Sequence, residues 1–122
     1  MMPYSTLNDA GYLVPSLGRG PIEVWYSRPS FFAELYHGDV VPNPRNLPAT
    51  HILLGSVRDL PRDILFGALQ GERWSPNGEA RDLIRSLGLE HTSMSVGDIF
   101  VDGPLICRRS VFITTPIGFQ RL

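Results

Sequence analysis

Apolar positions recur along this chain at two periods, two residues in some stretches and about 3.6 in others, with Gly and Pro marking the breaks. Ile22, Val24 and Tyr26 alternate with Glu23 and Trp25, which predicts a first strand over 22–26. Ser30 is placed to cap a short helix over 31–37, closed by Gly38. Phe31, Phe32, Leu35 and Tyr36 give that helix one apolar stripe. Val40-Val41 predicts a brief extended piece. Pro42, Pro44 and Pro48, with Asn43 and Asn46, then predict a rigid irregular loop over 42–48.

Thr50 to Val57 predicts a strand rich in β-forming residues. Asp59 is the expected cap of the next helix, with Pro61 tolerated in its first turn. Leu60, Ile64, Leu65, Ala68 and Leu69 line one face, and Gly71 is expected to end it. Ser75-Pro76 reads as a second helix start, since proline's fixed φ and missing N–H suit the first helical position. Ala80, Leu83, Ile84 and Leu87 follow at i, i+3, i+4, i+7, with Arg81 and Arg85 on the outer side. Gly88 with Leu89 fits a left-handed helix ending. Only Glu72-Arg73-Trp74 is left to join the two helices.

The last third of the chain, His91 to Leu122, holds most of the remaining strand-forming residues. Val96-Gly97-Asp98 reads as a structural turn feeding a strand at Ile99-Phe100-Val101. Asp102-Gly103 signals a second turn. Pro104 has no N–H to close a two-residue hairpin, so a looser connection is expected. In the run 105–115, Leu105, Cys107, Val111 and Ile113 share one parity and Ile106 and Phe112 the other, which predicts a strand covered on both faces. Pro116 and Gly118 punctuate, and 119–122 reads as a last strand docked in the sheet. The order favours an α+β fold: a single domain over 21–122 with a mainly antiparallel sheet, a central pair of helices and a C-terminal β-meander. Residues 1–20 read as a flexible N-terminal arm.

Composition changes this picture little. At 122 residues, 43% hydrophobic and 19% charged, the chain is long and apolar enough for one core. A formal net charge of −1 gives no global reason to seek nucleic acid or an anionic membrane. All 11 basic residues are Arg, which fits a coding bias, with bidentate recognition of oxyanions as the sharper alternative. One cysteine, Cys107, fits a reducing compartment, and neither a secretory leader nor a spanning segment is evident, so a cytoplasmic location is expected.

The candidate chemistry sits in two places. His91, Ser93 and Asp98 have the residue types of a base, a nucleophile and an orienting carboxylate. That role needs heavy-atom separations of about 2.6–3.2 Å. The favoured alternative is that these side chains satisfy backbone groups in a tight connection. Arg108 and Arg109, with Arg121, are candidates for a basic binding patch, beside Asn43 and Arg45 on the Pro-rich loop. Trp25, Tyr26, Phe31 and Phe32 are the candidate stacking surfaces for nucleic acid. His37 and His51 stand far apart, and no metal-ligand spacing, phosphate-binding loop or dinucleotide fingerprint occurs. No metal and no cofactor are expected.

The phrases HILLGSVRDL, EARDLIRSLGLEHTSMSVGDIF and TTPIGFQRL resemble a group of small uncharacterised bacterial proteins related to YodL-type domains, often carried on mobile elements. The resemblance covers roughly 50–122 and rests on Ser93, Ser95, Val96, Gly97, Asp98, Gly118 and Phe119. It implies an accessory bacterial protein and brings no activity with it. The expected function is therefore a non-catalytic binding or regulatory protein acting through a protein partner or self-association, using loop 42–48 and segment 91–98. Nucleic-acid binding through Arg108, Arg109 and the arm is one alternative; a hydrolase or transferase built on His91, Ser93 and Asp98 is another.

Overall fold

A computed structural model of the chain describes residues 20–103 and 109–122. Residues 1–19 of the expected arm, and the segment 104–108 with Cys107 and Arg108, lie outside the described residues.

The fold is α+β, as the element order predicts. Strands β1 (Ile22–Ser27), β2 (His51–Val57), β3 (Ile99–Asp102), β4 (Ser110–Thr115) and β5 (Gly118–Arg121) form one sheet in the order β2-β1-β3-β4-β5. Every pairing is antiparallel, and β3-β4-β5 is the expected C-terminal meander. Asp102 pairs with Ser110, so β3 and β4 are joined by residues 103–109, longer than a two-residue hairpin. Between β4 and β5, Thr115 pairs with Gly118 across Pro116-Ile117.

Alternation assigns each strand residue to a face. Ile22, Val24 and Tyr26 of β1 and Phe100 of β3 lie under the helices; Trp25, Ile99, Val101, Val111 and Ile113 lie on the other face. The strand buried on both sides is the four-residue β3, whose Ile99, Phe100 and Val101 are all buried. Between β1 and β2 the register slips at Val24/Trp25, leaving Leu54 as an extra residue on β2. This bulge keeps Ile52, Leu54 and Val57 all packed in the helix-side core, which strict alternation would not allow.

Among the described residues, four short helices connect the strands: α1 (Phe32–His37), α2 (Arg62–Ala68), α3 (Gly71–Trp74) and α4 (Arg81–Ser86), with 3₁₀ turns at Pro29–Phe31 and Leu47–Ala49. The predicted starts shift. Ser30 lies inside the first 3₁₀ turn without capping anything, and Pro61, not Asp59, occupies the cap of α2. Gly71 begins α3 where it was expected to end the preceding helix, because Ser93 Oγ accepts its N–H at 2.7 Å. The predicted joint 72–74 is thus itself a helical turn, and it drives Trp74 into the core. Helix α4 starts only at Arg81; Ser75 Oγ instead accepts the N–H of Ala80 at 2.9 Å. Its end follows expectation: Gly88 takes φ +75° and Leu89 N–H reaches back to Ile84 O at 2.9 Å.

Candidate functional site

The first candidate grows from the corner before β3. Gly97 takes φ +97°, and a Cβ there would lie 3.0 Å from Leu35 Cβ, so both backbone angle and space demand glycine. The corner is tied to β4 by Gly97 N–H to Thr114 O and Thr114 N–H to Asp98 O, each 2.9 Å. This geometry carries the Asp98 carboxylate into the interior, with no solvent exposure.

Asp98 is fully satisfied there. Oδ1 accepts the N–H of Ser27 at 2.7 Å and its hydroxyl at 3.0 Å. Oδ2 accepts the N–H of Ser95 at 2.9 Å and His91 Nε2–H at 2.8 Å. One carboxylate therefore ties the end of β1 to the 91–98 connection and closes its own turn. Hydrogen bonds to a charged acceptor contribute about 1.5–3 kcal/mol each, so this corner ranks among the stronger polar anchors of the domain.

His91 stacks on Tyr26 at 4.6 Å and meets Phe32 edge-on at 4.8 Å. Its side chain is 15% exposed, beside a cleft of about 380 Å³ shared with Pro29, Phe32, Ala33 and Glu90. Tyr26 is wholly buried and donates its hydroxyl to Thr92 O at 2.8 Å. Burial first, and the Asp98 charge second, push its phenol well above the usual tyrosine range.

The structure unites His91 with Asp98 but not with a nucleophile. Ser93 Oγ is taken by Gly71 N–H, and Ser95 Oγ donates to Ser93 O at 3.0 Å. Neither serine hydroxyl addresses the imidazole, so the three side chains form no catalytic relay. Nor is 91–98 an exposed interaction segment: Met94, Gly97 and Asp98 are buried and the others half-buried. The segment belongs to the framework.

Sequence inspection missed His51, which is buried at the same corner. Its Nε2 lies 2.8 Å from Gly97 O and its Nδ1 2.7 Å from Thr50 Oγ1. A carbonyl only accepts, so Nε2 carries the proton, and the Thr50 hydroxyl donates to Nδ1. Burial pulls this histidine below its ordinary value, outweighing the opposing effects of Gly97 O and Asp98. Among the described residues, no group of three or more His, Cys, Asp or Glu is arranged to hold a metal.

The second candidate is the sheet face away from the helices. There the Pro-rich loop folds over Ile99, Val101 and Val111 and inserts Leu47 among them. Asn43 serves the loop itself, since its Oδ1 accepts the N–H of Arg45 at 2.9 Å. A groove of about 260 Å³ opens between the end of α1, residues 40–42 and the β4–β5 hairpin. Its lining includes Tyr36 and Val41, which are 47 and 77% exposed. A second cavity of about 350 Å³ brings Arg45, Arg109 and Arg121 together. Arg109 is ion-paired with Glu23, whose Oε1 also accepts Trp25 Nε1–H at 3.0 Å.

The expected aromatic platform for nucleic acid does not assemble. Trp25 faces the loop side, whereas Tyr26 is buried under the helices and Phe32 packs on His91. No described helix is long and apolar enough to cross a membrane. No family model matches this sequence, and comparison with curated proteins and with solved structures finds no match for the chain.

Proposed function

We propose that this chain is a small non-catalytic binding or regulatory protein that acts through a protein partner or a second copy of itself. The supporting observation is the pair of exposed apolar side chains, Tyr36 and Val41, that line the groove. Large apolar side chains grouped around a concavity mark contact surfaces more often than solvated ones scattered singly. This moves the interface from the 91–98 segment, which is internal, to the Pro-rich loop and the β4–β5 hairpin. A cytoplasmic location and an accessory role in a bacterium or on a mobile element belong to the same proposal. They rest on the single cysteine and on the resemblance carried by Ser93 to Asp98, Gly118 and Phe119.

Val41→Asp tests the reading. Val41 is exposed, so the fold and its melting temperature stay within the wild-type range, while a buried charge at the interface weakens association strongly. Sedimentation over a concentration series, with retention of host proteins on immobilised chain, measures the effect. If wild type neither self-associates nor retains a protein that Val41→Asp loses, the reading fails.

A further inference from the structure

The cavity at the far end of the Pro-rich loop has a composition that the apolar groove does not share. Three parts of the chain supply its arginines: the loop gives Arg45, the residue before β4 gives Arg109, and β5 gives Arg121. Leu47, Val101 and Val111 form an apolar floor beneath them. Glu23 is the acidic side chain within ion-pair distance of this trio among the described residues, and it engages Arg109. Counted over side chains, three guanidinium groups and the Glu23 carboxylate leave two positive charges around the cavity. These stand on a chain whose formal net charge is −1. Like charges gathered at one concavity repel, and their joint position is stabilised when an anion enters between them.

We infer that this cavity receives the carboxylate side chains of an acidic segment on the protein partner. The inference rests on the partner reading and adds the chemistry of the segment: aspartate or glutamate next to apolar residues. Guanidinium groups bind carboxylates through two parallel N–H···O bonds, and among the described residues Arg45 and Arg121 are not ion-paired with a carboxylate. The apolar floor favours a peptide, whose carboxylates come attached to carbon chains. Among the described residues lining the cavity none is aromatic, so these offer bases nothing to stack on. The groove and the cavity share Leu122, and the loop borders both through Pro42 and Pro44. One extended segment can therefore set apolar side chains in the groove and carboxylates in the cavity.

The test uses a fluorescent, end-blocked decapeptide of alternating leucine and glutamate, its leucine–glutamine counterpart, and a ten-nucleotide oligothymidylate. Binding is read by polarisation, and the arginine side-chain N–H signals are followed by NMR. The leucine–glutamate peptide is expected to bind, to shift the Arg45, Arg109 and Arg121 signals, and to weaken at least about tenfold on R45E/R121E, the scale of losing a bidentate charged pair. The leucine–glutamine peptide is expected to bind at least as much more weakly. Both arginines are exposed, so R45A/R121A serves as a second variant, with circular dichroism to confirm the fold.

Four results would overturn the inference: no binding of the acidic peptide, equal binding of the glutamine peptide, no loss on either double variant, or tighter binding of oligothymidylate lost in the same variants. The groove is separable. If Val41→Asp leaves peptide binding unchanged while R45E/R121E abolishes it, the cavity stands and the groove reading falls. If only Val41→Asp weakens binding, the groove stands and the cavity does not.

Discussion

The two faces of the sheet solve burial differently, and the difference separates framework from surface. Under the helices, fourteen buried residues form one described cluster, including Trp74, Tyr26, Phe100 and Leu69. On the opposite face the described cluster has four, Leu47, Ile99, Val101 and Val111, covered by the Pro-rich loop. Helices supply repeated apolar side chains at fixed spacing and satisfy their own backbone. A loop with three prolines supplies one deep anchor, Leu47, and leaves an open groove and an arginine cavity on either side. The helix side buries the larger described core, and the loop side keeps a groove and a cavity open at its surface.

Truncation should expose that contrast most sharply. Trp74 is wholly buried and donates Nε1–H to Thr92 O at 3.1 Å. Trp74→Ala is expected to cost about 4 kcal/mol, a large share of a small domain's total stability. Leu47→Ala on the loop side is expected to cost about 2 kcal/mol, the low end for a core leucine, because the loop can settle into the space. Urea denaturation of both variants measures the gap. Equal losses would mean that the loop is as much framework as the helices.

Asp98→Asn comes next. It replaces one accepting oxygen by an amide that faces donors on either side, from Ser27 or from His91 and Ser95. The expected cost is about 2–4 kcal/mol, with peptide binding at the loop face unchanged once the protein is folded. A loss of binding without a loss of stability would contradict the framework role of this corner.

Stability should also depend on pH through His51. Its folded value lies below the ordinary 6.5, so the unfolded chain takes up the proton first as pH falls. The contribution of neutral His51 is therefore fully present above about 6.5 and is lost as pH drops below it. Replacing His51 by Gln should flatten that slope, measured as melting temperature between pH 7.5 and 5. An unchanged slope would show that His51 does not set it.

The smallest effect is expected at Thr114, whose Oγ1 is buried without a hydrogen-bond partner among the described residues. Thr114→Val removes the unsatisfied hydroxyl at constant shape and should add about 0.5–1 kcal/mol. That corresponds to a rise of roughly 2–6 °C in melting temperature for a chain of this size. A fall in stability would mean that the hydroxyl is engaged in solution.

Much of the fold is legible in the chain itself. Alternation at Ile22, Val24 and Tyr26 marks β1 and its inner face, and the Ala80, Leu83, Ile84 and Leu87 stripe marks the helix that Gly88 ends. Val96-Gly97-Asp98 announces a corner, because glycine at positive φ and a short carboxylate are local needs written in local residues. Helix starts are less legible. Gly71 opens α3 only because Ser93, distant in sequence, accepts its N–H, and Ser75 serves Ala80 in place of its own first turn.

The candidate sites show the same division. From sequence, His91, Ser93 and Asp98 share one short segment. Folding joins the first to the third and gives the serine hydroxyl to another element. Arg109 and Asn43 are visible as polar residues, but Asn43 turns into its own loop, while Arg109 meets Arg45 and Arg121 across one cavity. His51 has no motif at all; it became part of the corner because β2 pairs beside β1.

The sequence by itself therefore determined what is local: periods, turns, and the faces that apolar side chains must share, since these depend on residues within one or two turns of each other. Tertiary structure alone decided which polar groups meet. Those meetings depend on sheet order and on the path of the Pro-rich loop, which are set by packing between distant segments and leave no short-range trace in the chain.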